Sequence, residues 1–562
     1  MDEERSPIIE LGRRDALRGI GAIAATCAFG ATPALAEILG PNPVVATSHG
    51  PVRGLRGHGV LTFKGIRYGA DTGGANRFLP PVKPAARQEV QNAFEYGPPA
   101  SQDITAFKVV NDIMREELGG NRPVYPFGAE QMAPSEDCLF LNIWTPAADA
   151  KRRPVRVWLH GGGFFVGSGG GPLYNGTNFA RKEDVVIVTV NHRLSVLGYA
   201  YMADLLGPDY AASGNVGMLD LVQALEWVRD NIAQFGGDPD LVTIFGESGG
   251  GNKVSMLLAM PTAKGLFHRA IVQSGPKLTG LPRSEASNLA EAMLEELKIP
   301  RAEARRILDI PAEQIIEAGG KAIVRLAQLN PRGGLDFSPV VDQVVLPANP
   351  FEPVASPTAR GVPLLIGTMR TEATPFMVGN PKFGRFTDAE VEEIVEKKWG
   401  AAASKILAMA KRRRAQATGT SLYAAVLNAG WELSSHKIAQ RQSENGAPVY
   451  VYSLDWRTPV GGGKYESPHA MDLPLMFDTV EADRPLLGAG PAPQQVADQM
   501  RSAWAAFART GNPANRLIPS WPAYNKRSRA VMSLDVESRV LNDPATELFE
   551  TWKGIDDIPM FP

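Results

Sequence analysis

The sequence predicts an α/β fold in which helices cover a mostly parallel central sheet. The apolar stretch 241–245 runs into a glycine-rich turn and then into a helical pattern over 252–258. Residues 155–159 alternate in polarity like a strand and end in three glycines. Two further apolar runs, 363–367 and 448–453, are each followed by a polar loop. Short buried strands that alternate with helices and polar loops are typical of this fold class.

The composition is that of a globular protein with a sizeable core. Of 562 residues, 44% are hydrophobic and 21% are charged, while 57 Gly and 45 Pro indicate many turns. The chain has 58 basic and 60 acidic residues, which gives a net charge of −2. No basic patch that would bind nucleic acid is therefore expected. The longest basic run, 411–414, is predicted to be a solvated helix end.

The first 36 residues are predicted to be an export signal. A charged start contains Arg13 and Arg14, an apolar run of small residues follows at 19–29, and an A-x-A pattern ends at Ala36. That run is too short and too rich in Gly and Ala to span a membrane comfortably. We therefore expect cleavage after Ala36 and a periplasmic or secreted protein without an integral membrane segment.

This segment resembles a bacterial twin-arginine signal, although Gly12 and Ala16 differ from the residues usual there. The alternative is an uncleaved amphipathic start on a cytoplasmic protein. Residues 37–562 are predicted to form a single domain, and a monomer is the default expectation. Of the two cysteines, Cys27 lies in the signal and Cys138 is left as one thiol, so no internal disulfide is expected.

Ser248 is the predicted nucleophile. It stands in a G-x-S-x-G motif between a strand and a helix, the setting in which a serine hydroxyl is displayed on a sharp turn. Gly246 and Gly250 allow the turn, and the amide of Gly249 at the start of the helix can donate to a developing oxyanion.

The glycine run after residues 155–159 is the second predicted part of the site. Acyl transfer builds negative charge on the substrate's carbonyl oxygen, and preorganised N–H donors stabilise that charge. Glycines let bare backbone amides approach a ligand closely. The amides of Gly162 and Gly163 are therefore the expected donors, together with Gly249.

His469 is the predicted general base, since a serine at neutral pH needs one. The seven histidines are 49, 58, 160, 192, 268, 436 and 469. In enzymes whose serine lies on such a strand-to-helix turn, the catalytic residues follow the chain order nucleophile, acid, histidine, which places the base well after Ser248. His268 leads directly into a strand and His436 lies in a helical pattern, whereas His469 follows a strand in a loop, where catalytic groups are often displayed.

Glu372 is the predicted acid that orients the imidazole and stabilises its charged form. It follows the apolar run 363–367 by a few residues. Asp342 is the rival, and Asp472 is too near His469 in sequence to be preferred. The histidines and cysteines lack metal-ligand spacings, so neither a metal nor an organic cofactor is expected.

Several longer motifs resemble the type-B carboxylesterases, the group of cholinesterases and bacterial esterases on the α/β-hydrolase fold. The matching segments are 135–143, 191–193, 214–217, 231–240 and 504–513. The resemblance covers nearly all of residues 44–562. It implies an α/β-hydrolase fold with helical insertions between Thr279 and Trp456 that wall the active site, and a structural ion pair between Arg193 and Asp220.

The resemblance also implies an activity and its residues. The family's triad falls on Ser248, Glu372 and His469, and its oxyanion amides fall on Gly162, Gly163 and Gly249. The expected reaction is two-step hydrolysis of a small-molecule carboxylic ester. Rival readings are an amidase, thioesterase or carbamate hydrolase with the same triad, and a non-catalytic binding protein, whose known examples typically lose triad members.

Three departures from the family pattern have consequences. Gly249 replaces the usual alanine, and residues 371–373 read Thr-Glu-Ala where Asp-Glu-Gly is common. Ala100 stands where the family often has a cysteine that pairs with the one at Cys138. The loop 100–138 is therefore not expected to be closed by a disulfide. It also lacks the tryptophan with which cholinesterases hold a quaternary ammonium, so choline esters are not expected as natural substrates.

Overall fold

The computed structural model describes residues 41–119, 132–329, 336–555 and 558. The predicted export signal and its cleavage after Ala36 lie outside the described residues, as does part of the loop 100–138. Among the described helices, none is both long and apolar enough to cross a membrane.

The strands are β1 (Val44–Val45), β2 (Val52–Arg53), β3 (Leu55–Gly57), β4 (Val60–Arg67), β5 (Gln91–Asn92), β6 (Phe140–Thr145), β7 (Arg153–Leu159), β8 (Val186–Val190), β9 (Gly237–Glu247), β10 (Arg269–Gln273), β11 (Leu281–Pro282), β12 (Val340–Val341), β13 (Leu364–Met369), β14 (Val449–Leu454), β15 (Val531–Leu534) and β16 (Arg539–Leu541). The α-helices are α1 (Thr105–Leu118), α2 (Thr177–Glu183), α3 (Ser195–Tyr199), α4 (Ala203–Leu206), α5 (Val216–Asn231), α6 (Gly249–Leu257), α7 (Arg283–Glu296), α8 (Ala312–Leu329), α9 (Asp388–Trp399), α10 (Ala403–Arg413), α11 (Gly419–Leu427), α12 (Ala429–Glu444), α13 (Asp472–Met476), α14 (Arg484–Leu487), α15 (Ala492–Thr510) and α16 (Thr546–Trp552).

Eleven strands form one central sheet, in the order β16-β15-β14-β13-β10-β9-β7-β8-β6-β4-β3. The seven strands from β15 to β8 pair in parallel. The outer strands β16, β6, β4 and β3 pair antiparallel. The predicted mostly parallel sheet is confirmed, and its parallel part brings the carboxyl ends of β9, β13 and β14 to one edge.

The strand predicted at residues 155–159 is present as β7, and all seven residues of β7 are buried although the sequence alternates in polarity. Helices cover both faces of a parallel sheet, so its inner strands meet no water on either side. Arg156, the polar residue on which the alternation depended, is fully buried, with its guanidinium 4.2 Å from the ring of Phe179 and 4.0 Å from that of Phe245. Burial lowers the pKa of Arg156 to about 9.

The basic run 411–414 is only half solvated, which corrects its interpretation as an exposed helix end. Helix α10 ends at Arg413, whose guanidinium lies 2.5 Å from the carboxylate of Glu432 on α12. The side chain of Arg414 is only 9% exposed, and burial lowers its pKa to about 10. Both arginines therefore tie α10 to α12 instead of facing solvent.

The predicted helical insertions between Thr279 and Trp456 are present as α7 to α12. The ion pair implied by the resemblance is also present. Arg193 Nη2 lies 2.6 Å from Asp220 Oδ1, and both side chains are buried. Because Asp220 belongs to α5, the pair fixes that helix against the loop after β8.

Backbone hydrogen bonds close the loop that lacks a disulfide. Ala100 and Ser135 form an isolated parallel bridge, in which the Ser101 amide donates to Ser135 O at 3.2 Å and the Ser135 amide donates to Pro99 O at 2.9 Å. Cys138 is a buried free thiol. The two ends of the loop therefore meet without a covalent link.

Candidate active site

A sharp turn between β9 and α6 displays Ser248. The strand ends at Glu247 and the helix begins at Gly249, so Ser248 alone makes the turn, with φ 56° and ψ −124°. Such a conformation costs a residue other than glycine roughly 1–3 kcal/mol. Glycine is required at 250, where an added Cβ would lie 2.0 Å from Leu159 O. Strand β7 therefore packs directly on the turn.

The structure brings Glu372 and His469 together although they are far apart in sequence. Glu372 follows β13 and His469 follows β14, and these two strands are parallel neighbours. Glu372 Oε2 lies 2.6 Å from Nδ1 of His469. The Thr371 amide donates to Ser467 O at 3.1 Å, which joins the two loops just before the charged pair.

Neighbouring groups hold the carboxylate of Glu372, which is fully buried, in place. Its Oε1 accepts a hydrogen bond from the amide of Met369 at 2.8 Å. Its own amide donates to Asn428 Oδ1 at 2.9 Å, and Asn428 Nδ2 donates to Glu432 Oε1 at 2.9 Å. The carboxylate thus has one oxygen fixed by the backbone and the other directed at the imidazole.

Glu247, immediately before the predicted nucleophile, occupies the other side of the imidazole. Among the described contacts, His469 Nε2 meets Glu247 Oε1 at 3.2 Å and makes no hydrogen bond with the Ser248 hydroxyl. Hydrogen bonds between a nucleophile and its base are often long without substrate and shorten when it binds. Nε2 is thus paired with the residue immediately before Ser248.

These carboxyl groups change the acidity of His469. Burial alone would lower the pKa of His469, but Glu247 and Glu372 together raise it above its usual value. Burial raises the pKa of Glu247 well above its usual range. A third buried carboxyl, Asp472, accepts a hydrogen bond from Gln273 at 2.5 Å, and burial raises its pKa to about 7. The imidazole therefore lies among carboxyl groups that favour its protonated form when they are ionised.

The three predicted oxyanion donors lie next to the serine turn. Gly162 and Gly163 have φ values of 89° and 62°, which favour glycine. An added Cβ on Gly249 would lie 2.4 Å from the nitrogen of Gly163, so these two backbones are in close contact. No described residue accepts a hydrogen bond from any of the three amides. They are therefore available to a ligand.

The rival residues have other partners. One oxygen of Asp342 accepts from the amides of residues 344, 345 and 346, and the other accepts from Asn215 at 2.8 Å. His436 lies on α12 with Nδ1 3.3 Å from the hydroxyl of Tyr524. His268 accepts from the amide of Val242 at 3.2 Å. None of the three contacts His469 among the described residues.

Aromatic side chains from the helical insertions approach the imidazole. The ring centroid of Phe376 lies 5.3 Å from that of His469, and that of Trp431 lies 6.3 Å away. Trp431 is buried, while Phe376 is 36% exposed. The described residues hold no cluster of three or more His, Cys, Asp or Glu side chains that could bind a metal ion.

Comparison with known proteins identifies the family. The sequence profile of the "Carboxylesterase family" matches residues 41–552. The chain belongs to the carboxylesterase family. This serine carboxylesterase is 33% identical to the para-nitrobenzyl esterase of Bacillus subtilis (strain 168), over 90% of its own length and 97% of that protein. It is 32% identical to rat liver carboxylesterase 1F over 86% of its own length and 89% of that protein.

Solved structures of other esterases support the same family. The crystal structure of the carboxylesterase EST55 of Geobacillus stearothermophilus matches with a TM-score of 0.75 and 36% identity, over 91% of this carboxylesterase and 99% of that chain. The structure of an esterase from Clostridium hathewayi, described as able to hydrolyze aliphatic aromatic polyesters, matches with a TM-score of 0.75 and 31% identity, over 91% of this carboxylesterase and 98% of that chain. The predicted α/β-hydrolase fold and type-B carboxylesterase family are confirmed, and carboxylic ester hydrolysis follows from the family.

Sequence reasoning missed three buried residues around the site of this carboxylesterase: Glu247, Lys253 and Asn428. Two had a visible signal. Glu247 is the charged residue inside the serine motif, and Lys253 is the one charged residue in the helical run 249–257. Asn428 carries none, because only the fold brings it to the acid.

The raised pKa of His469 predicts the pH profile of this carboxylesterase. A base works only when unprotonated, so a raised pKa keeps the inactive form to higher pH. We expect the acid limb of kcat/KM to have its midpoint above 6.5, the usual pKa of histidine. Glu247→Gln removes a carboxyl group whose ionised form raises this pKa and should move the midpoint to lower pH.

Glu136→Gln is a suitable control for this experiment. Glu136 is also a mostly buried carboxylate, but it pairs with Arg77 at 2.5 Å, away from His469. Its replacement should leave the midpoint in place. An unchanged midpoint in Glu247→Gln would show that this carboxyl does not act on the imidazole.

Proposed function

We propose that this carboxylesterase hydrolyses esters through a covalent acyl-enzyme, with Ser248 as nucleophile, His469 as base and Glu372 as the acid that orients it. The observation that carries the proposal is the 2.6 Å contact between Glu372 and His469 beside the serine turn. In this arrangement Nδ1 of the imidazole is occupied by the carboxylate. Nε2 faces the end of β9, where Ser248 follows Glu247.

In the first step, Nε2 of His469 takes the proton of Ser248 as Oγ attacks the ester carbonyl. The amides of Gly162, Gly163 and Gly249 stabilise the oxyanion that forms. His469 then returns the proton to the departing alkoxide, and an alcohol leaves. In the second step His469 takes a proton from water as the water attacks the acyl-enzyme, and the same amides stabilise the oxyanion. The carboxylic acid is released and Ser248 is regenerated.

The expected substrate is a small ester with an apolar or aromatic part. Phe376 and Trp431 place aromatic rings within about 6 Å of the imidazole ring, which suits burial of apolar groups. The relation to the para-nitrobenzyl esterase of Bacillus subtilis supports the same substrate class. The ester reading is preferred over an amidase or thioesterase because the family supports it.

Pre-steady-state kinetics with p-nitrophenyl esters of graded acyl length test the proposal. If deacylation is the slower step, we expect a burst of nitrophenol close to one equivalent per chain. A fluorophosphonate probe should abolish turnover and label Ser248, as located by peptide mass spectrometry. Labelling of another serine with loss of turnover would refute the assignment, and faster cleavage of the matched amide than of the ester would favour the amidase reading.

A further inference from the structure

Lys253 is a buried lysine directly behind the site. It lies on α6, five residues after Ser248, and its side chain has no exposure to solvent. The remainder of this short helix is almost entirely buried and mostly small or apolar. A charged side chain at this place needs a specific reason.

The ammonium of Lys253 binds both ends of the glycine segment that carries the predicted oxyanion donors. Its Nζ donates to His160 O at 2.9 Å and to Gly163 O at 2.9 Å. The amides of Gly162 and Gly163 lie between these two carbonyls in the chain. One side chain therefore fixes the start and the end of the segment.

The energetics of burial indicate that a lysine is present here for these two hydrogen bonds. Burying an ammonium is costly unless it is paired and hydrogen-bonded. No described carboxylate lies within ion-pair distance of Nζ, and the nearby imidazoles of His160 and His192 offer no negative charge. Burial lowers the pKa of Lys253 to about 7, although Glu247 opposes the shift. An apolar side chain of similar length would avoid this cost.

The backbone of Gly249 lies in close contact with the same segment. A methyl group built on Gly249 would lie 2.1 Å from Gly163 O and 2.5 Å from its Cα. The alanine that the family usually has here does not fit unless the segment moves away. The hydrogen bond from Lys253 holds Gly163 O close to α6, and the lack of a side chain at Gly249 permits that close approach.

We propose that Lys253 is the positioning residue of the oxyanion hole. Its ammonium holds the carbonyls of His160 and Gly163, and so sets the amides of Gly162 and Gly163 against that of Gly249. This inference rests on the function proposed above. It assigns Lys253 no contact with the substrate.

The first test replaces Lys253 with methionine, which keeps the length and removes the donors. A misplacement of about 1 Å costs on the order of a hundredfold in rate, so we expect kcat to fall roughly ten- to a hundredfold with KM within about threefold. The Ki of an aryl trifluoromethyl ketone, whose serine adduct places an oxyanion in the hole, should rise by the same factor as kcat/KM falls. Lys264→Met is the control, since Lys264 is exposed.

Active-site titration with a fluorophosphonate separates positioning from folding. Rates are expressed per labelled site, so a partly unfolded sample does not imitate a slow enzyme. If kcat per site and the Ki of the ketone are unchanged in Lys253→Met, the inference is overturned even if the melting temperature falls. Lys253→Arg keeps the donors and should recover part of the lost kcat.

A double-mutant cycle with Gly249→Ala gives an independent test, in which Lys253→Leu takes the place of Lys253→Met if the latter does not fold. Gly249→Ala should lower kcat, because the methyl group meets Gly163. The double variant should lose less than the product of the two single losses, since a released segment can yield to the methyl group. A loss equal to that product would overturn the inference.

Failure of the inference is distinguishable from failure of the proposed function. If Ser248→Ala is inactive while Lys253→Met matches the parent in kcat and in ketone binding, only the role of Lys253 is wrong. If Ser248→Ala retains parental activity, the proposed nucleophile is wrong, and the inference about its oxyanion hole is overturned with it.

Discussion

Ser248→Ala is expected to lower kcat on p-nitrophenyl esters by about a millionfold, the largest effect among the variants considered. Removal of the nucleophile abolishes the covalent route, and only binding and oxyanion stabilisation still act on the substrate. Enzymes that have lost one member of such a triad retain on the order of 10³–10⁴ over the uncatalysed rate. Steady-state kinetics across an acyl-length series, with the parent measured alongside, gives the comparison.

Ser255→Ala is the matched control for this variant. Ser255 is a buried serine on the same helix, α6, and its hydroxyl donates to Gly251 O at 3.0 Å. Its replacement should leave kcat within a few-fold of the parent. Equal activity of Ser248→Ala and the parent would show that another group is the nucleophile.

Glu372→Gln is expected to lower kcat on the same esters by about ten-thousandfold with little change in KM. Glutamine is nearly the same shape and can keep the hydrogen bond from the amide of Met369. It cannot stabilise the imidazolium by charge, and its amide group permits the wrong tautomer of His469. The equivalent loss of charge in serine proteases costs about this factor.

Asp342→Asn separates the two candidate acids. Asp342 accepts from three consecutive amides, so its replacement should lower the free energy of unfolding by about 1–3 kcal/mol. It should leave kcat nearly unchanged, since its carboxylate does not contact His469. Chemical denaturation and steady-state kinetics on both variants test this pair of expectations, and a large loss of kcat in Asp342→Asn alone would reverse the assignment of the acid.

The sequence predicts those parts of the site that depend on local chain geometry. Ser248 is recognisable because the glycines around it permit a turn that few other sequences allow. Glu372 and His469 can be predicted from the sequence by a weaker argument, since each follows an apolar strand and the chain order of the triad excludes His268. The structure brings Glu372 and His469 within hydrogen-bonding distance, as the placement of their strands requires.

Other parts of the molecule depend on contacts that one sequence does not specify. Arg156 reads as the polar side of a strand, yet two aromatic rings on the covered face of the sheet enclose it. Arg414 reads as a solvated charge, yet it is buried. In each case the deciding factor is a partner far away in the chain, and composition or periodicity does not identify that partner.

The hydrogen bond between Glu372 and Asn428 bears on how the enzyme can be re-engineered. The two residues are 56 positions apart, and Asn428 lies immediately before helix α12, in the region that supplies Phe376 and Trp431. Exchanging this region for that of another esterase, as one would to graft a new specificity, would also exchange the anchor of the acid. A chimera therefore needs an asparagine at the position of Asn428, because the region that lines the site also holds the catalytic acid in place.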